Sequence, residues 1–93
     1  MNYQTEAKPQ CWRAVAVFDD RPEMLLYLNR SSPAVRAGYR TAYLELLDED
    51  ERVHVTSVSM QRWQGAPDLG RWVQHCELPV PLKEKISIAS IAA

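Results

Sequence analysis

One segment of this sequence carries a complete helix signature, and the segments on either side of it have the opposite habit. Ser32 followed by Pro33 opens it. A serine oxygen can accept from an orphan amide, and proline at the first helical position gives up no needed donor. Behind this start, Val35, Tyr39, Ala42 and Leu46 recur at steps of four, three and four and share one face, with Arg36, Arg40 and Glu45 off it. The spacing predicts one main helix over about 33–48, and a lone amphipathic helix must bury its stripe against another layer.

The flanks supply that layer as strands. Cys11-Trp12-Arg13-Ala14-Val15-Ala16-Val17-Phe18 is a run of aliphatic and aromatic residues closed by Asp19-Asp20-Arg21-Pro22. Residues 21–29 admit two readings. Asp20 with Glu23 has the form of a helix start, whereas Met24, Leu26 and Leu28 alternate with period two. The helix start at Ser32-Pro33 leaves little room for another helix and its connection, so a second strand paired to the first is the reading adopted. The acidic run Asp48-Glu49-Asp50-Glu51 sits poorly at a helix C-terminus and is expected to be a solvated turn.

Beyond it, Val53 to Trp63 is rich in β-branched residues and free of Gly and Pro, the pattern of a long strand. Its apolar alternation slips, Val53 and Val55 against Val58 and Met60, which a β-bulge or a twist near Thr56-Ser57 would reconcile. Gln64 to Gly70 is a turn-rich connection, and Arg71 to Leu78 reads as the last strand of a hairpin. The expected fold is therefore a two-layer α+β domain in β-β-α-β-β order, with the helix packed on a mainly antiparallel sheet. Residues 11–81 form the domain, 1–10 a flexible leader, and 82–93, apolar at Ile86, Ile88 and Ile91, a tail or an extra edge strand.

The hairpin from Ala14 to Ser31, with Leu26-Tyr27-Leu28-Asn29, then Ser31 and Arg36 on the helix, resembles the strand-strand-helix opening of the GIY-YIG nuclease family. The resemblance implies topology alone. Both signature glycines are missing, Ala16 stands where the first motif has its tyrosine, and no later helix supplies the metal-binding glutamate.

Charge and composition narrow the function. Eleven Lys and Arg against twelve Asp and Glu leave a net charge of −1, which offers no broad positive field to a phosphate backbone. Eight of the eleven cations are Arg, the side chain suited to stacked and bidentate contacts. Cys11 and Cys76 match neither a zinc cluster nor a CxxC pair, and three glycines cannot write a phosphate loop. No cofactor and no metal site are expected. The polar first ten residues lack a signal peptide's apolar core, and no run approaches a membrane span, so a cytoplasmic protein is expected.

His54 and His75 have no neighbour at a recognised catalytic spacing. Strand alternation puts Cys76 on the face opposite His75 and Glu77, which read as an ordinary solvated strand face, the alternative being a proton-transfer pair or half of a metal site at a subunit interface.

All three tryptophans adjoin arginine, as Trp12-Arg13, Arg62-Trp63 and Arg71-Trp72. With Trp63 and Trp72 near the ends of one hairpin, the candidate binding residues are Trp63, Trp72, Arg62 and Arg71, together with Arg36 and Arg40 as an anion-binding pair on the helix. The reading is a small non-catalytic protein-interaction or oligomeric accessory module, with a protein partner or self-association as a dimer. A single-stranded nucleic-acid accessory protein using the Trp and Arg surface is the alternative, disfavoured by net charge. A small enzyme with a His/carboxylate site is the third reading.

Overall fold

The computed structural model describes residues 11–81, so the expectations for 1–10 and 82–93 lie outside the described residues. Four antiparallel strands, β1 (Trp12–Phe18), β2 (Met24–Asn29), β3 (Val55–Gln64) and β4 (Arg71–Leu78), form one sheet in the order β2-β1-β3-β4. Helix α1 (Ser32–Leu46) and the short helix α2 (Glu49–Arg52) join β2 to β3. Both of those strands run antiparallel to β1, which makes them parallel to each other, and parallel strands need a crossover. Helix α1 is that crossover, and it packs over β1 and β2. The two-layer α+β fold in β-β-α-β-β order is as expected.

Helix α1 begins one residue earlier than its sequence signature suggested. Ser31, held by the Asn29 side chain (3.0 Å), is the N-cap, and its hydroxyl accepts from the Ala34 amide at 3.3 Å. At the other end the periodicity misleads. The buried residues are Val35, Tyr39 and Tyr43, and Leu47 just past the helix is 2% exposed, whereas Leu46 is 48% exposed. The expectation that Leu46 lies on the buried stripe is thus corrected. Leu47 has left the helix (φ −116°, ψ 132°), and that turn of the backbone directs it into the core.

The acidic run is likewise not a plain turn. Asp48 accepts from the Glu51 amide (2.9 Å) while the Glu51 carboxylate accepts from the Asp48 amide (3.0 Å), a capping box that starts α2. Because the chain breaks at Leu47, these carboxylates sit at a new helix N-terminus, where the dipole favours them.

Bulges set the faces of the sheet. Between β1 and β3 the register passes from Val17↔Ser57 to Phe18↔Val55, so Thr56 is the extra residue, as the slipped alternation foretold. Val53, by contrast, lies outside β3 and is exposed. In β2 the extra residue is Leu26, between pairs Ala14↔Tyr27 and Val15↔Leu25. Its presence lets both Leu26 and Tyr27 pack on the helix side, against a core that includes Ala14, Ala16, Val35, Tyr39, Tyr43, Val58, Met60 and Leu78.

Tyr27 explains a glycine inside α1. A Cβ on Gly38 would come within 2.7 Å of the Tyr27 ring, so the ring lies where a side chain would be. Gly in a helix interior costs about 1 kcal/mol relative to Ala. Gly38→Ala is expected to lower stability in the native chain but to raise it, by up to about 1 kcal/mol, in a Tyr27→Ala background. Urea unfolding of the four proteins measures this; an equal effect in both backgrounds would refute the contact.

Candidate interaction surface

The face of the sheet turned away from α1 brings together groups that are far apart in sequence. Trp63 and Trp72 are directly opposite in the β3–β4 ladder, and their rings meet edge to face with centroids 5.3 Å apart. The hairpin turn positions them. Gly65 takes φ 103°, a conformation suited to glycine, and the Trp63 indole N–H donates to the Ala66 carbonyl at 3.2 Å. A side chain at Gly70 would collide with that carbonyl, at 2.7 Å, and with the indole nitrogen, at 2.8 Å.

The cation over this pair comes from neither of the sequence-adjacent arginines. Arg13 of β1 reaches across β3, its Nε donating to Gln61 Oε1 (2.7 Å) and its guanidinium carbon standing 4.3 Å from the Trp72 ring centroid. Glu23 approaches the same guanidinium at 3.4 Å. Partial burial pulls the Arg13 pKa below its ordinary value, and the Glu23 carboxylate opposes that shift. A guanidinium stacked on an indole in a partly desolvated setting gains about 0.5–2 kcal/mol. Trp63, Trp72 and Arg13 are all half-buried.

The other expected site residues go elsewhere. Arg62 is on the helix side of β3, with its guanidinium 5.4 Å from the Trp12 ring, and Arg71, opposite Gln64, is exposed on that same side. Arg36 and Arg40 are exposed on α1, Arg36 with a nitrogen 3.6 Å from Cys76 Sγ and Arg40 5.6 Å from the Tyr39 ring centroid. Trp63 and Trp72 are thus on one face of the sheet, Arg62 and Arg71 on the other, and Arg36 and Arg40 on the helix. Arg13 and Gln61 complete the group, and the strand order needed to find them has no signal in the residues.

The histidines are separated. A register shift makes His75 the extra residue of β4, between Met60↔Cys76 and Gln61↔Gln74. His75 therefore meets Trp12 edge-on at 4.9 Å, on the helix side with Cys76, while Glu77 pairs with Ser59 on the opposite face. The strict alternation read from sequence fails at this bulge, which puts His75 and Glu77 on opposite faces and removes the alternative of a His75–Glu77 pair.

His54 instead joins Asp19 (Nδ1 to Oδ1, 3.1 Å) and Asp20 (3.6 Å) where β1 ends and β3 begins. One ligand-type atom from each of the three lies within 4.8 Å of the others. Arg21 holds both oxygens of Asp20 at 2.9 Å, lowering the Asp20 pKa, and also approaches Glu51 at 3.6 Å. Arg21 thus already occupies both oxygens of Asp20, and the group lies at the surface, where such acidic clusters are common without an ion.

Among the described residues no helix is long and apolar enough to cross a membrane. No known protein-family model matches the chain, no characterised protein matches its sequence, and no solved structure matches its fold. The resemblance to the GIY-YIG opening thus stays at the level of strand-strand-helix order.

Proposed function

We propose that this chain is a small, non-catalytic interaction module of the cytoplasm that binds a protein partner through Trp63, Trp72 and Arg13. The observation that carries the reading is the Arg13 guanidinium stacked 4.3 Å from the Trp72 ring and braced by Gln61. Tryptophan and arginine held in a fixed mutual geometry lose little conformational freedom on association, which is why they dominate binding hot spots. Neutral overall charge favours a protein over a nucleic acid, and Glu23 beside Arg13 favours a ligand that brings its own neutral or mixed-charge groups rather than a phosphate chain. The thiols of Cys11 and Cys76 are consistent with a reducing compartment.

Trp72→Ala and Arg13→Ala test it, each with a circular dichroism check that the fold survives. A purified partner bound by the native chain is expected to bind at least about tenfold more weakly to either variant, the loss of about 1.4 kcal/mol or more that a hot-spot residue gives. Undiminished binding by both would overturn the proposal. Trp72-dependent binding of an oligothymidylate that weakens steeply with salt would replace it with the nucleic-acid reading.

A further inference from the structure

Strand β2 is an edge of the sheet, and among the described residues no strand pairs with its outer side. Natural edges are commonly blunted by lysine, proline or inward charge. Met24-Leu25-Leu26-Tyr27-Leu28-Asn29 contains none of these, and two of its leucines, Leu25 and Leu28, are 49% and 50% exposed. We propose that β2 pairs antiparallel with β2 of a second copy of this chain about a two-fold axis between Leu26 and Tyr27, joining two sheets edge to edge.

The register follows from the strand's own symmetry. On the side away from the helix lie Glu23, which contacts Arg13, and Leu25 and Leu28, which stand across from Val15 and Arg13. On the helix side lie Met24, Leu26, Tyr27 and Asn29, the last across from Trp12. Arg30 follows as the exposed bend residue just past the strand, the position that this register sets opposite Glu23. Read outward from the Leu26–Tyr27 bond, the sequence of faces is the same in both directions.

Residues opposite one another in an antiparallel pair share a face, so this palindrome is what a two-fold pairing requires. An unbroken six-residue strand could not provide it at this register, because alternation would set each residue opposite one on the wrong face. A bulge usually discourages edge pairing, but here the bulge at Leu26 supplies the phase change that makes the strand complementary to itself.

The side chains then match. Leu25 meets Leu28 of the second copy and Leu28 meets its Leu25, which covers the two half-exposed leucines. Glu23 meets Arg30 of the second copy at each end of the ladder, opposite charges in both places. Arg30 is exposed and makes no ion pair among the described residues. A second copy is the partner this edge fits, and a C2 dimer of this kind leaves the Trp63–Trp72 end of each sheet at the far edge.

Sedimentation velocity of the full chain over a concentration series tests the pairing, with a three-variant set. The native chain is expected to dimerise, Arg30→Glu to dissociate about tenfold more readily by setting two carboxylates together, and Glu23→Arg added to Arg30→Glu to restore the native affinity. Leu25→Lys is expected to be monomeric with an unchanged circular dichroism spectrum. A native chain that stays monomeric to millimolar concentration overturns the proposal, as does a dimer indifferent to Leu25→Lys and to Arg30→Glu. Neither result bears on the Trp72 surface, and Trp72→Ala, at the far edge of the sheet, is expected to keep the native dimer.

Discussion

Leu47→Asp is expected to leave the chain unfolded, while Leu46→Asp, one residue earlier, is expected to stay within about 0.5 kcal/mol of the native stability. The two leucines differ only in where the end of α1 sends them: Leu47 is 2% exposed and Leu46 48%. An isolated carboxylate at position 47 would have to enter an apolar cluster that includes Tyr43 and Val55, or expel the segment around it from the core. A domain of this size has only a few kcal/mol to lose, so either outcome exceeds its stability. Val35→Asp has the same consequence at the other end of the helix, since Val35 is fully buried. Amide dispersion in a two-dimensional NMR spectrum separates the three variants. A folded Leu47→Asp protein would refute the placement of the helix end.

That contrast also marks how far the residues alone could be read. Leu46 is eleven residues beyond Val35, about 20° around an ideal helix, whereas Leu47 is about 120° away. Periodicity therefore selects Leu46, and it fails because Leu47 is extended backbone, outside the rule's domain. The strands were legible because β-branched and aromatic runs between turn residues need no knowledge of the partner strand. The bulge at Thr56 was legible as well, since the apolar alternation slips there within one strand. The bulges at Leu26 and His75 were not, because they are defined only by registers against β1 and β3.

The candidate surface divides the same way. Trp63 and Trp72 could be paired from a hairpin, a local feature, and the ladder sets them opposite each other. Their adjacent arginines, Arg62 and Arg71, lie on the other face of the sheet, because neighbours on a strand point to opposite faces. Arg13 comes from β1, across the intervening β3, so it becomes visible only once the order β2-β1-β3-β4 is known.

Tyr39 and Tyr43 lie one turn apart on α1, both buried, and their hydroxyls are expected to respond to removal in opposite directions. Truncating either ring to alanine costs about 3–5 kcal/mol, enough to unfold most molecules. Removing only the oxygen separates them. Tyr39 donates to the Pro79 carbonyl at 2.6 Å and so ties the helix to the end of β4, and Tyr39→Phe is expected to cost about 1 kcal/mol. The Tyr43 hydroxyl is buried with no hydrogen-bond partner among the described residues, so Tyr43→Phe is expected to leave stability unchanged or raise it by up to about 1 kcal/mol.

Alkaline pH adds a second readout. Burial raises the Tyr43 pKa above the ordinary 10.0, with the nearby Arg52 charge opposing the shift. The folded state thus holds the phenol proton more tightly than the unfolded chain does. The resulting stability is fully present below the unfolded pKa and is lost as pH rises through the folded one. Tyr43→Phe removes this contribution to alkaline unfolding, so the fall in stability above about pH 10 should be shallower than in the native chain or in Tyr39→Phe. Urea midpoints measured from neutral pH upward decide it: a Tyr43→Phe protein that loses stability with pH as steeply as the native chain would show that the Tyr43 phenol is ionised as easily folded as unfolded, and that its burial carries no electrostatic penalty.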